Sequence, residues 1–60
     1  MYDQRALQSV EVVNAVGEWF VFICEGKGEP VIQPFEIESS ARAYAEGQRL
    51  RLGLDRFTAV

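Results

Sequence analysis

Histidine is absent from this 60-residue chain, and cysteine occurs once, as Cys24. A single thiol excludes an intrachain disulfide, and without histidine the common zinc constellations cannot be assembled. Serine–histidine nucleophile pairs are excluded on the same ground. No long apolar run exists either. The longest, Trp19 to Cys24, is far below the ~20 residues that span a bilayer. The start, Met1 to Ala6, has no basic stretch followed by an apolar one, so no signal peptide and no membrane partner are expected. A lone cysteine in an apolar strand behaves as a small hydrophobe and fits a reducing compartment, and a cytoplasmic location follows as an expectation.

Length sets a further limit. Residues 1–60 form one small domain, and a chain of this size buries only roughly 60% of its unfolded surface, which leaves it marginally stable. With disulfide and metal excluded, self-association is the expected supplement. The net charge of −3 is unevenly placed. Residues 1–38 carry seven acids against Arg5 and Lys27, a balance of −5, whereas residues 39–60 carry four arginines against Glu46 and Asp55, a balance of +2.

What is present is a strand apolar at every position. Extended, Trp19-Phe20-Val21-Phe22-Ile23-Cys24 points Trp19, Val21 and Ile23 one way and Phe20, Phe22 and Cys24 the other. Before it, Ser9 to Val16 is largely β-branched and ends in the turn formers Asn14-Ala15-Val16-Gly17. After it, Gly26-Lys27-Gly28-Glu29-Pro30 reads as a hairpin connection with Lys27 at its exposed tip. A third strand spans Val31 to Glu38, and Pro34 makes it an edge strand or marks a bulge. Ser39 or Ser40 is suited to cap a helix from Ala41 to Leu52, whose apolar stripe is Ala41, Tyr44, Ala45, Gln48 and Leu52. Gly53 is the expected stop, and Phe57 to Val60 has β character. Residues 1–8 read as a frayed arm. The spacing predicts an α+β fold of β-β-β-α-β order, a three- to four-stranded antiparallel sheet with one helix on one face.

One helix covers one face. Val10, Val12, Trp19, Val21, Ile23, Val31, Phe35 and Ile37 form the face expected beneath it. The other face carries Glu11, Val13, Phe20, Phe22, Cys24, Ile32, Pro34, Glu36 and Glu38, an apolar centre with acidic margins, as in ordinary interface anatomy. Phe20, Phe22, Ile32 and Val13, rimmed by Glu36 and Glu38, are therefore the candidate protein interface, for a second copy or a host protein.

Other chemistry is weaker. Ser9, Ser39 and Ser40 have no neighbouring base, and acids alternating on an edge strand, such as Glu36 and Glu38, commonly act as solvated gatekeepers against edge pairing. No enzyme activity, small-molecule substrate, cofactor or metal site is expected. Gly26-x-Gly28 lacks the third glycine and the lysine–serine pair of a phosphate loop. Arg42 and Arg49 share a helix flank with Glu46. Ion pairing among the three is the simpler reading, and a nucleic-acid contact through the two arginines is the alternative. Gly47, opposite the helix stripe, either admits a close approach or is a tolerated surface glycine.

The succession of an aromatic strand, a glycine hairpin, Pro34-Phe35-Glu36-Ile37-Glu38 and the helix start Ser39-Ser40-Ala41 resembles two groups of sheet-plus-helix modules. One is the small phage proteins that inhibit host RNA polymerase. The other is the arm-binding domains of phage-type tyrosine recombinases. The resemblance covers roughly residues 9–60 and lies in element order. The first group implies a protein target and an accessory or inhibitory role. The second implies DNA contacts from basic sheet residues, where this chain has glutamates, so nucleic acid is the less expected partner.

Overall fold

The computed structural model describes residues 8–26 and 28–59. Residues 1–7, Lys27 and Val60 lie outside that range, and with them nearly all of the expected N-terminal arm, the hairpin-tip lysine and the last residue of the C-terminal strand. Strands β1 (Gln8–Ala15), β2 (Glu18–Glu25) and β3 (Val31–Phe35) are followed by helix α1 (Glu38–Leu52) and a two-residue strand β4 (Thr58–Ala59). The sheet order is β3-β2-β1-β4. Gln8 is the first residue of β1, paired with Glu25, and does not belong to the arm.

The β-β-β-α-β order agrees with the sequence reading, but the sheet is mixed. β1–β2 and β2–β3 are antiparallel, whereas β4 pairs with β1 in parallel, Glu11 opposite Thr58 and Val12 opposite Ala59. Two antiparallel steps leave β3 running in the same direction as β1. A helix that runs back along the sheet carries the chain from the C-terminal end of β3 to the level where β3 began, so β4 runs as β3 does. This crossover lays α1 across a single face.

The core under α1 consists of Val10, Val12, Val21, Ile23, Ala41 and Ala45, all at 0–2% exposure. Two alanines at i and i+4 let the helix backbone approach the valine-rich strands closely. Trp19, Phe35, Tyr44, Leu52, Leu54 and Phe57 close the margins of this cluster. Phe35 and Tyr44 meet with ring centroids 5.3 Å apart and planes tilted by 48°. The expected stripe is the one used, with Trp19 half-buried beside it.

Two expected core positions are not enclosed. Val31 is 48% exposed and Ile37 61% exposed. β3 ends at Phe35, and Ile37, with extended backbone (φ −124°, ψ 133°), is the N-cap of α1, giving no side-chain cap hydrogen bond. Its carbonyl accepts from the Ala41 N–H at 3.2 Å. Ser39 and Ser40 are therefore inside the helix, and Glu38 occupies its first turn, where a carboxylate favours the helix dipole. At the other end Gly53 (φ 71°) closes a Schellman motif. Its N–H reaches the Leu50 carbonyl at 3.2 Å, and the Leu54 N–H reaches Arg49 at 3.0 Å.

The β1–β2 hairpin turns on two residues, Val16 and Gly17, flanked by the Ala15–Glu18 pair. Both have positive φ, 53° and 78°. Two-residue hairpins favour such turns because their twist matches that of the strands. For a β-branched residue this is a strained conformation. Val16 is also fully exposed, so no packing compensates it.

Candidate functional site: the outer sheet face

Alternation along the strands puts a second set of side chains on the face away from α1, and the cross-strand register orders them into rows. Glu11 lies opposite Phe22, which lies opposite Ile32. Val13 lies opposite Phe20, which lies opposite Pro34. Ser9 and Cys24 form a row on one side, Ala15 and Glu18 a row on the other. Directly opposed side chains sit about 5 Å apart at Cβ, so Val13, Phe20, Phe22, Ile32 and Pro34 form one contiguous apolar patch. Val13, Phe20, Phe22 and Cys24 are half-buried by their neighbours alone, and Ile32 is 51% exposed. Among the described residues no element packs on this face, because the one helix lies on the other.

The acidic margin differs from the sequence reading. Glu38 is not on this face. It lies in the first turn of α1 and pairs with Arg42 at 2.9 Å. Glu36 follows the end of β3 and, with Glu18, Pro34 and Phe35, lines a shallow depression of about 260 Å³. Glu11 is exposed beside Phe22. The face thus carries Glu11 and Glu18, with Glu36 just past the end of β3 beside Glu18, Pro34 and Phe35 in that depression. Glu18 is not among the residues expected there, although its parity with Phe20 places it on this side.

The helix arginines are engaged with carboxylates. Arg42 pairs with Glu38 and not with the Glu46 expected from the sequence, because the helix begins early enough to place Glu38 one turn before it. Arg49 binds Glu46 through both Nε and Nη2, and its Nη1 donates to the Leu54 carbonyl at 2.9 Å. The hydrogen bond from Arg49 holds the Glu46 carboxyl below its ordinary pKa, and the same contact raises that of Arg49. Arg51 reaches across to Glu25 on β2 at 2.7 Å, tying helix to sheet. Arg42 and Arg49 are on one helix, but each is locally neutralised. Gly47 is open, since a Cβ built there meets nothing within 4 Å.

Among the described residues no group of three or more histidine, cysteine, aspartate or glutamate side chains could hold a metal ion, and no helix is long and apolar enough to cross a membrane. No known family model matches the chain. Comparison with curated proteins and with solved structures returns no match either, so the sheet-plus-helix resemblance rests on element order alone.

Proposed function

We propose that the protein is a binding module that docks its outer sheet face on protein, in an accessory or inhibitory role and without chemistry of its own. The observation that carries this reading is the contiguous patch of Val13, Phe20, Phe22 and Ile32 on the face that α1 leaves open. Burying each such side chain is worth roughly 1.5–3 kcal/mol. Among the described residues the fully enclosed core holds six side chains, two of them alanine, so covering this patch would add substantially to what holds the domain together. That small core also favours self-association as a second form of the same reading. The arginines of α1 offer a nucleic acid much less, because salt bridges already occupy them and the strands carry no lysine or arginine.

The test is Phe22→Glu. The variant should keep the wild-type circular dichroism spectrum and lose protein association, read by sedimentation over a concentration series and by affinity capture. Wild type and variant behaving alike in every association measurement would remove the basis of the reading. Submicromolar, salt-sensitive binding to random duplex DNA, lost in Arg42→Ala/Arg49→Ala, would replace it with the nucleic-acid alternative.

A further inference from the structure

Resting on that reading of the outer face, we infer that its partner presents a cationic amphipathic helix, with arginine or lysine flanking an apolar stripe. The first observation is width. The apolar patch spans β1, β2 and β3, two strand spacings or roughly 10 Å, which matches the roughly 10–12 Å diameter of one helix with its side chains. The same three strands already carry one helix, α1, on their other face.

The second observation is charge. Glu11 stands beside Phe22 on the β1 side of the patch, and Glu18 and Glu36 line the depression at its β2–β3 end. None of the three pairs with a described cation, although Glu25, Glu38 and Glu46, elsewhere on the molecule, all do. Among the described residues no strand contains a lysine or arginine. A second copy would bring three more carboxylates to the interface and no strand-borne cation, so a two-fold pairing leaves Glu11 facing apolar or acidic surface. A helix with an apolar stripe over Phe20 and Phe22 answers both features if its cationic side chains fall toward Glu11 at the β1 side and toward the Glu18–Glu36 depression at the β2–β3 end. Such a helix laid in an apolar groove is a recurring recognition mode, and flanking charges set its register and partner choice.

The test uses the full chain and three synthetic amphipathic peptides that share one apolar stripe and carry arginine, glutamine or glutamate on its flanks, with binding read by fluorescence anisotropy. The arginine peptide should bind about tenfold tighter than the glutamine peptide at low ionic strength, with the gap closing as salt screens it. The glutamate peptide should bind weakest. Glu11→Gln/Glu18→Gln/Glu36→Gln, checked for an unchanged melting curve, should erase the preference, and Phe22→Ala should weaken all three peptides. Equal binding of the arginine and glutamine peptides, both weakened by Phe22→Ala, would overturn the cationic partner and leave the face as the binding surface. Binding indifferent to Phe22→Ala would overturn the face itself. Self-association that depends on Phe22, with no binding of the arginine peptide, would assign the face to a second copy and overturn the inference.

Discussion

The two faces of β2 differ by one residue step and by almost nothing in hydrophobicity. Val21 and Ile23 are enclosed, while Phe20 and Phe22, which are larger, stay half-exposed. Strand β2 therefore does not decide which face becomes the core. Its neighbour β1 does. On one side β1 offers Val10 and Val12, and on the other Ser9, Glu11 and Val13. Burying Glu11 beneath a helix without a partner would cost several kcal/mol, so α1 settles over the valines. The face rejected by the helix keeps its phenylalanines, and an uncovered apolar patch remains as the complement of the folding decision.

The comparison breaks most sharply at adjacent residues. Ile23→Ala empties an enclosed site and should cost roughly 2–5 kcal/mol, enough to unfold much of so small a domain. Phe22→Ala removes more atoms from a site that no element covers and should cost the isolated monomer well under half as much, while weakening association. Chemical denaturation of dilute protein, below any association threshold, measures both. Equal losses would mean that the outer face is packed as a core, and the distinction between the faces would fall.

Much of this arrangement is legible in the sequence, because alternation and helical spacing report which residues share a face. Of the expected stripe, Ala41, Tyr44, Ala45 and Leu52 pack on the core, while the half-buried Gln48 accepts a hydrogen bond from Arg51. What is not legible depends on where elements end. Nothing local distinguishes Glu36-Ile37-Glu38 as strand from the same residues as helix entry. Ser39 and Ser40 are better caps by side-chain chemistry than Ile37, yet the helix starts one turn earlier. The parallel pairing of β4 follows from topology and from no residue in it. Leu54 and Phe57 join the core because they lie on the return from the end of α1 to the edge strand β4 beside β1. On the candidate site, the apolar centre is recoverable from parity, whereas the acidic margin shifts with the end of β3.

The next largest effect concerns the hinge between the faces, the Val16–Gly17 turn, which sets the β1–β2 register and so assigns every side chain on both strands to its face. Val16→Asn replaces a β-branched residue at φ 53° with one that tolerates the left-handed region. The strain removed is roughly 1–2 kcal/mol, and because Val16 touches no other element the thermal midpoint should rise by that equivalent. An unchanged or lower midpoint would show that the turn relaxes without strain. Smaller again, Gly47→Ala should strengthen α1 by about 1 kcal/mol, since the added methyl meets open space. It fortifies what makes the inner face inner without touching the outer one, so peptide or protein binding should stay constant while stability rises. A loss of binding would place a contact on the far side of the helix.

The smallest effect is the dependence of α1 on acid. The Glu46 carboxyl is held below its ordinary pKa chiefly by the hydrogen bonds it accepts from Arg49. A group whose pKa is lowered on folding stabilises the fold above its unfolded-state value. That contribution disappears as pH falls through the folded-state value. Stability should therefore be flat in this contribution at neutral pH and decline below the ordinary glutamate range. Glu46→Gln should remove that part of the decline and cost less at neutral pH than Gly47→Ala gains, because the pair is exposed and screened by solvent. Arg49 retains its bond to the Leu54 carbonyl in the variant, so the end of α1 should stay closed. Melting curves of both proteins from neutral pH into the acid range check the sign. If the two curves stay parallel as pH falls, Glu46 does not carry the titration, and the hydrogen bonds from Arg49 do not set the acid response of the inner face.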